Sequence, residues 1–422
     1  MKLQPWLSIC SSTTHHQPPS PSISKLSDTT TNNISHTVTS AGNGWEQVCT
    51  ISQTAATAAA ITGFQKLSLE TLTLTVSDHV NFLAVHNRLL YAAAGNLIHV
   101  IDIASFALLT TVNVAGSSSG SVKSVTFSNG NIFTAHQDNK IRVWKLTENG
   151  HHKRIATLPT FKDRLIRSVS PKNYVHVRRH RKKLWIEHHD AVSGLALVTD
   201  RLMCSVSWDK YLKIWRTSDF RCVESIKAHD DAINAVVAAA DGTIYTASAD
   251  RRIKVWGKGL KKYGLIATLD KHTSAVNTLA LNDDGSVLFS GSGEGSIFVW
   301  GKEHGGNRTV LTGTLSGHSK AILCLVTFSD LLLSGSADRT VRIWQRGREG
   351  KFCCLKVLDG YKRPVRSLVA DLGETASGSD PTCTLRVFSD IGDGDIRMLS
   401  IKDLNYPNSM STHYWNPPLL MW

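Results

Sequence analysis

RIKVW at residues 252–256 decides the fold, because variants of it return along the chain. NLIHVI ends at Ile101, KIRVW at Trp144, YLKIW at Trp215, SIFVW at Trp300, TVRIW at Trp344 and DIRML at Leu399, making seven copies with Trp256. The terminal positions recur about every forty residues, with longer steps before Trp215 and Leu399, and this is the period of four-stranded blades. Ile253-Lys254-Val255-Trp256 alternates apolar and polar, as a strand with one buried face does. Upstream runs Ala232–Val237 and Gly242–Ser248, set off by the turn pairs Asp241-Gly242 and Ala249-Asp250, supply further strands. Helical periodicity is nowhere sustained.

A lone blade cannot bury both faces, so the copies must stack, and closing them into a ring protects the sheet edges. If each copy supplies the outer strand of one blade and the inner three of the next, the last blade lacks its outermost strand. Leu69–Val76 (LETLTLTV) lies just before the first copy and is expected to fill the place. The expectation is an all-β, seven-bladed β-propeller over about residues 65–402. Residues 1–60 carry only Lys2, Lys25, Asp28 and Glu46 as charges among many Ser and Thr, a composition that also suits an organelle transit peptide; the Arg enrichment of many such peptides is missing, so 1–64 is expected to be a disordered low-complexity tail. Segment 403–422, with Tyr406, Trp415 and Trp422 among prolines, fits no repeat and forms a C-terminal tail.

The 422 residues carry a net charge of +13 with 41% hydrophobic residues, the balance of a soluble globular chain with a basic load. Eight cysteines show no C-x-x-C pair and no zinc-finger spacing, so they are expected to be reduced and mostly buried. No apolar stretch is long enough to span a membrane, and no secretory signal opens the chain, so the expected location is cytoplasm and nucleus.

Six residues before the terminal positions stand Gly95, Asp138, Asp209, Asp250, Glu294, Asp338 and Asp393, and about twenty residues further upstream stand His189, His229, His272 and His318. This is similar to the WD-repeat pattern. The resemblance implies a buried hydrogen-bonded chain of turn acid, loop His, strand Ser or Thr, and Trp: Asp338, His318, Ser334 or Ser336, and Trp344 in the sixth copy. The corresponding structural residues are His189, Asp209 and Trp215; His229, Asp250 and Trp256; and His272, Glu294 and Trp300. Ser, His and Asp together invite a catalytic-triad reading. Four recurrences with a Trp attached favour a skeleton, since a nucleophile needs exposure and an oxyanion site. Tyr361 stands where a loop His would be expected and Leu399 in the place of the Trp, so the seventh chain is expected to be absent. Copies one and two are also incomplete, with Gly95 in the acid position and no His in register before Val122.

Residues 163–197 (DRLIRSVSPKNYVHVRRHRKKLWIEHHDAVSGLAL), 207–237 (SWDKYLKIWRTSDFRCVESIKAHDDAINAVV) and 317–344 (GHSKAILCLVTFSDLLLSGSADRTVRIW) resemble the plant JINGUBANG-like WD-repeat proteins. The likeness runs from about residue 65 to 400. Those relatives are regulatory and non-enzymatic, and the founding type acts in pollen germination through contact with a transcription factor. The resemblance therefore implies a plant signalling or transcription-linked adaptor.

The long step before Trp215 holds a basic insertion, residues 159–187, in which Lys162, Arg164, Arg167, Lys172, Arg178, Arg179, Arg181, Lys182 and Lys183 face only Asp163 and Glu187. Strand counting places it as a loop on the face that carries the His loops and turn acids. Arg178–Lys183 (RRHRKK) has the density of a nuclear import signal, Tyr174 and Trp185 flank it, and so long a loop in a compact domain is more often functional than idle. Trp208, before the turn Asp209, is a candidate hot spot, and Lys210, Arg251, Arg252 and Arg339 in equivalent turns should make the rim positive and selective for acidic partners. The partner-binding candidates are these five residues with Tyr174, Arg178, Arg179, Arg181, Lys182 and Lys183.

These features favour a non-enzymatic scaffold for other proteins, a transcription factor among them, with no cofactor, no metal, no small-molecule substrate and no membrane. A cullin-type substrate receptor is the alternative, but Asp after the terminal Trp and Arg two places on are missing: Lys145, Arg216, Gly257, Gly301 and Gln345 follow the Trp residues. A nucleic-acid role would rest on basic charge alone, which gives salt-sensitive, nonspecific affinity. GSGEGS at 291–296 is a strand and turn in this context, not a phosphate loop.

Overall fold

The computed structural model describes residues 69–76, 79–114, 120–147, 151–178, 180–303, 308–347, 350–373, 384–392 and 394–401. The expected tails 1–64 and 403–422, and the turn residue Asp393, lie outside the described residues. Alternating strands of five to nine residues assemble into seven four-stranded antiparallel sheets, at 80–113, 122–158, 192–227, 233–269, 276–315, 322–358 and 368–401, and the last takes its fourth strand from Leu69–Thr75. They are the seven blades of a β-propeller, numbered 1 to 7 in that order.

The ring closes where the sequence places the closure. Leu69–Thr75 runs antiparallel to Asp395–Ile401, with Leu69 opposite Ile401 and Thr75 opposite Asp395. The Thr75 hydroxyl donates to Asp395 Oδ1 at 2.6 Å and Val76 N donates to Gly394 O at 2.7 Å, so the join is sealed beyond the ladder.

The core is divided into seams between blades. Phe289, Ile297 and Leu315 of blade 5 pack with Ile322, Leu332 and Trp344 of blade 6, and Phe388, Ile396 and Met398 of blade 7 pack with Val80, Leu90 and Phe106 of blade 1. The seams demand close backbone approach at two glycines. A Cβ at Gly291 would lie 2.5 Å from Ile322 Cγ2, and one at Gly335 2.5 Å from Cys324 Sγ and 2.8 Å from Val365 Cγ1. Both glycines are sandwiched against the innermost strand of the next blade or its approach. Cys204, Cys222 and Cys324 are buried, whereas Cys353 and Cys354 are half-buried.

The basic insertion departs from the expected loop. It folds into an eight-residue helix, Phe161–Ser168, a short 3₁₀ turn, Pro171–Asn173, and a hairpin of Tyr174–Arg178 with Arg181–Leu184. Thr160 caps the helix by accepting from Asp163 N at 3.2 Å. The helix is too short, and the alternation in the hairpin too charged, to stand out from sequence periodicity. Among the described residues no helix is long and apolar enough to cross a membrane.

Candidate functional site

Polar side chains inside each blade must find partners, and four blades solve this in the same way. In blade 4 His229 Nδ1 lies 2.8 Å from Asp250 Oδ2, His229 Nε2 lies 2.8 Å from Thr246 Oγ1, and Trp256 Nε1 donates to that hydroxyl at 3.0 Å. Blade 5 repeats this with His272, Glu294, Ser290 and Trp300, and blade 6 with His318, Asp338, Ser334 and Trp344. Glu294 serves as the acid, and Ser334 is the hydroxyl in the chain, whereas Ser336 Oγ donates to Lys320 O and Ala321 O. With a neutral ring, Nδ1–H donates to the carboxylate, the hydroxyl donates to Nε2, and the indole donates to the hydroxyl oxygen. Burial lowers the pKa of His272 and His318, against the pull of their acids. Burial alone would raise the Asp250 pKa, but the His229 hydrogen bond and the backbone N–H groups of Arg252 and Asp230 outweigh it and hold it at about 2.

Blade 3 corrects the sequence reading by one residue. His188, not His189, lies 2.8 Å from Asp209 Oδ2 and 2.7 Å from Ser205 Oγ, to which Trp215 Nε1 donates at 2.8 Å. His189 contributes its backbone N–H to Asp209 Oδ2 at 2.8 Å, and its ring stands edge-on to Tyr211. His188 stands 21 residues before Asp209, as His229 does before Asp250. The same separation is 22 in blade 5 and 20 in blade 6, so spacing alone leaves both histidines eligible.

Blades 2 and 7 hold variants. In blade 2, His136 reaches from the strand itself, its Nε2 2.8 Å from Thr134 Oγ1, which also accepts from Trp144 Nε1 at 3.0 Å, and Asp138 turns to a bidentate pair with Arg142. In blade 7 the expected absence is only partial: Tyr361 OH lies 3.1 Å from Ser389 Oγ, and Arg397 covers the Tyr361 ring at 4.6 Å. The Ser-His-acid sets sit at places a substrate does not reach, with Ser205, Ser290 and Ser334 fully buried.

The surface candidates fall in two places. Lys210, Arg251 and Arg339 each follow a turn acid with left-handed φ of 76°, 71° and 68°. The acid holds each turn by accepting from the backbone N–H two residues on, as Asp250 Oδ1 does from Arg252 N at 3.0 Å. Arg251, Arg252 and Arg339 are exposed; Arg252 lies 3.5 Å from Asp230 Oδ2, and Lys210 Nζ donates to Asp230 O. Trp208 is half-buried, with Lys123 Nζ 5.8 Å from its ring centroid. Lys123, from the innermost strand of blade 2, is a neighbour that the turn pattern alone does not reveal.

The second place is the folded insertion. Its ends, Leu158 and His188, lie on the His-loop side, but its body is tied to the outer strand of blade 3, Cys222–Lys227, where Arg167 donates to Cys222 O at 3.4 Å. Trp185 N donates to Asn173 O at 2.9 Å, and the buried Lys213 Nζ donates to Trp185 O at 2.5 Å and Ser225 Oγ at 2.6 Å. Tyr174, Arg181 and Lys182 are exposed and Lys183 is half-buried, its pKa lowered by that burial. The side chain of Arg178 and all of Arg179 lie outside the described residues. A groove of about 310 Å³ runs between the helix and the hairpin. Among the described residues no group of three His, Cys, Asp or Glu could hold a metal ion.

The family model "WD domain, G-beta repeat" matches residues 181–216, 220–257, 264–301 and 309–345. The chain contains WD40 repeats. The matched WD40 segments follow blades 3 to 6, which hold the four complete His-acid-hydroxyl-Trp chains. Similar proteins include the CCR4-associated factor 4 homolog of Candida glabrata, 31% identical over 22% of this chain and 17% of that protein. Zinc finger CCCH domain-containing protein 62 of Arabidopsis thaliana is 26% identical over 37% of each chain. COMPASS component SWD3 of Saccharomyces cerevisiae is 36% identical over 23% of this chain and 29% of that protein. The chain thus spans well under half the length of these relatives.

Proposed function

We propose that this WD40 protein is a non-catalytic scaffold that docks other proteins, a transcription regulator or signalling protein of plant cells among them, and that it works in both cytoplasm and nucleus. The observation that carries the reading is the row of cations at Lys210, Arg251 and Arg339, each held in a left-handed turn by a buried acid-His chain. Any residue with a Cβ is strained there, and loops on rigid blades make fixed binding positions. Arg252 and Trp208 add charge and an aromatic anchor beside them. Names such as "component" and "associated factor" among the similar proteins support a role in assemblies.

The test is affinity purification from plant tissue with the full chain and with a variant carrying Lys210→Glu, Arg251→Glu, Arg252→Glu and Arg339→Glu. The variant should melt close to wild type, since exposed charges contribute little to stability, and lose its captured proteins. Unchanged capture overturns the reading. For the nuclear part, Gln at Arg178, Arg179, Arg181, Lys182 and Lys183 should shift a fluorescent fusion toward the cytoplasm.

A further inference from the structure

The insertion helix is turned inside out. An ordinary surface helix buries its apolar stripe and shows its charges to water. Here the side toward the propeller is polar: Asp163 is buried, Arg167 Nε donates to its Oδ1 at 2.9 Å, and the Arg167 guanidinium lies 4.5 Å over the Trp185 ring. The outer side is apolar, with Phe161 79% exposed, Leu165 57%, Ile166 55% and, just past the helix end, Val169 82%. An apolar patch rimmed by charges marks a docking site on a soluble protein.

Phe161, Leu165, Tyr174 and Leu184 line the groove beside this patch, with Lys182 and Lys183 at its edge. The one carboxylate of the groove, Glu187, is already engaged by Arg164 at 2.9 Å. Among the described residues no acid stands within ion-pair distance of Lys182 or Lys183. The walls are pre-set, because Asn173 Nδ2 donates to Arg167 O at 2.8 Å and Tyr174 OH donates to Ser168 O at 3.3 Å.

We infer that this groove binds a short amphipathic segment of another protein, one large apolar side chain entering between Phe161, Leu165 and Tyr174 while flanking carboxylates meet Lys182 and Lys183. The inference deepens the scaffold reading and rests on it, but it concerns a site separate from the turn cations. Charge complementarity chooses the occupant. A second copy would bring the same basic insertion against itself in a chain of net charge +13, and residues 1–60 offer only Asp28 and Glu46 as acids. A lipid surface would meet the protruding Phe161 and Val169 but leave the concave groove unfilled.

The experiment pans a phage-displayed random dodecapeptide library on the full chain and measures the selected peptides by fluorescence anisotropy. Selected peptides should pair a large apolar residue with flanking Asp or Glu. Their affinity should fall at least tenfold in Leu165→Ser and in the exposed Lys182→Glu, with circular dichroism melting unchanged in both, and the second variant should lose part of the salt dependence. The inference is overturned by selection without acidic enrichment, by binding that survives both variants, or by Phe161-dependent binding to phosphatidylserine vesicles or self-association in sedimentation in place of peptide binding. Peptides lost only in the Lys210/Arg251/Arg252/Arg339 variant would overturn the groove and leave the scaffold reading standing.

Discussion

His188 Nε2 lies 2.7 Å from Ser205 Oγ, while His189, the next residue, turns its ring to Tyr211 and gives the network only its backbone N–H. Two adjacent histidines therefore hold different roles, one ring fully buried in the bonded chain of blade 3 and the other half-buried outside it.

His188→Ala strands the buried Asp209 carboxylate, whose pKa the His188 contact holds far below the usual range against the raising effect of burial. The loss of folding stability should be about 2–4 kcal/mol. His189→Ala should stay under about 1 kcal/mol, because its side chain is outside the chain of bonds. Urea denaturation of both variants decides the matter, and equal losses would contradict the assignment.

The two termini of the ring meet in blade 7, so truncation should have a sharp threshold. Removing residues 1–60 leaves the closing strand intact and should change the melting temperature little. Removing 1–78 deletes Leu69–Thr75, leaves the backbone edge of Asp395–Ile401 unpaired, and should lower melting by many degrees. If both truncations melt alike, strand Leu69–Thr75 does not hold the ring.

His136 sets an acid limit. Burial first, and then the neighbouring Arg142, lower its pKa to about 3, with Asp138 pulling the other way. In the unfolded chain the same ring takes a proton near pH 6.5. Between these values the unfolded state binds more protons, so the contribution is full above pH 6.5 and is lost as pH falls, by about 3 kcal/mol on reaching pH 4. His188, His272 and His318, also lowered by burial, act in the same direction. Melting curves at pH 7, 5.5 and 4.5 should show a smaller acid loss in His136→Ser than in wild type; parallel losses would remove His136 from the account.

Arg251 sits in the left-handed region at φ 71°. Glycine adopts that conformation without the Cβ clash but loses more chain entropy on folding, so Arg251→Gly should be neutral or more stable by up to about 1 kcal/mol. Arg251→Ala keeps the strain and should melt like wild type. Both should weaken capture of an acidic partner. A glycine variant that melts clearly lower would show that the Arg251 side chain supports the fold.

The sequence by itself determined the blades, their number and the closing strand, because alternation in RIKVW and its relatives is a local property that any half-buried strand must show. It also marked His229, His272 and His318 with their acids and tryptophans, since those residues recur at nearly constant spacing. Only tertiary structure chose His188 over His189, because loop length varies by a residue between blades and the ring that reaches Ser205 depends on where the backbone enters. The replacement of a loop histidine by His136, and the survival of the Tyr361–Ser389 bond, likewise depend on side chains converging from positions the repeat does not assign. Helix Phe161–Ser168 was hidden for a related reason: the partners that orient it, Trp185 and Cys222, lie on separate segments, and packing against them alone decides which of its faces meets water.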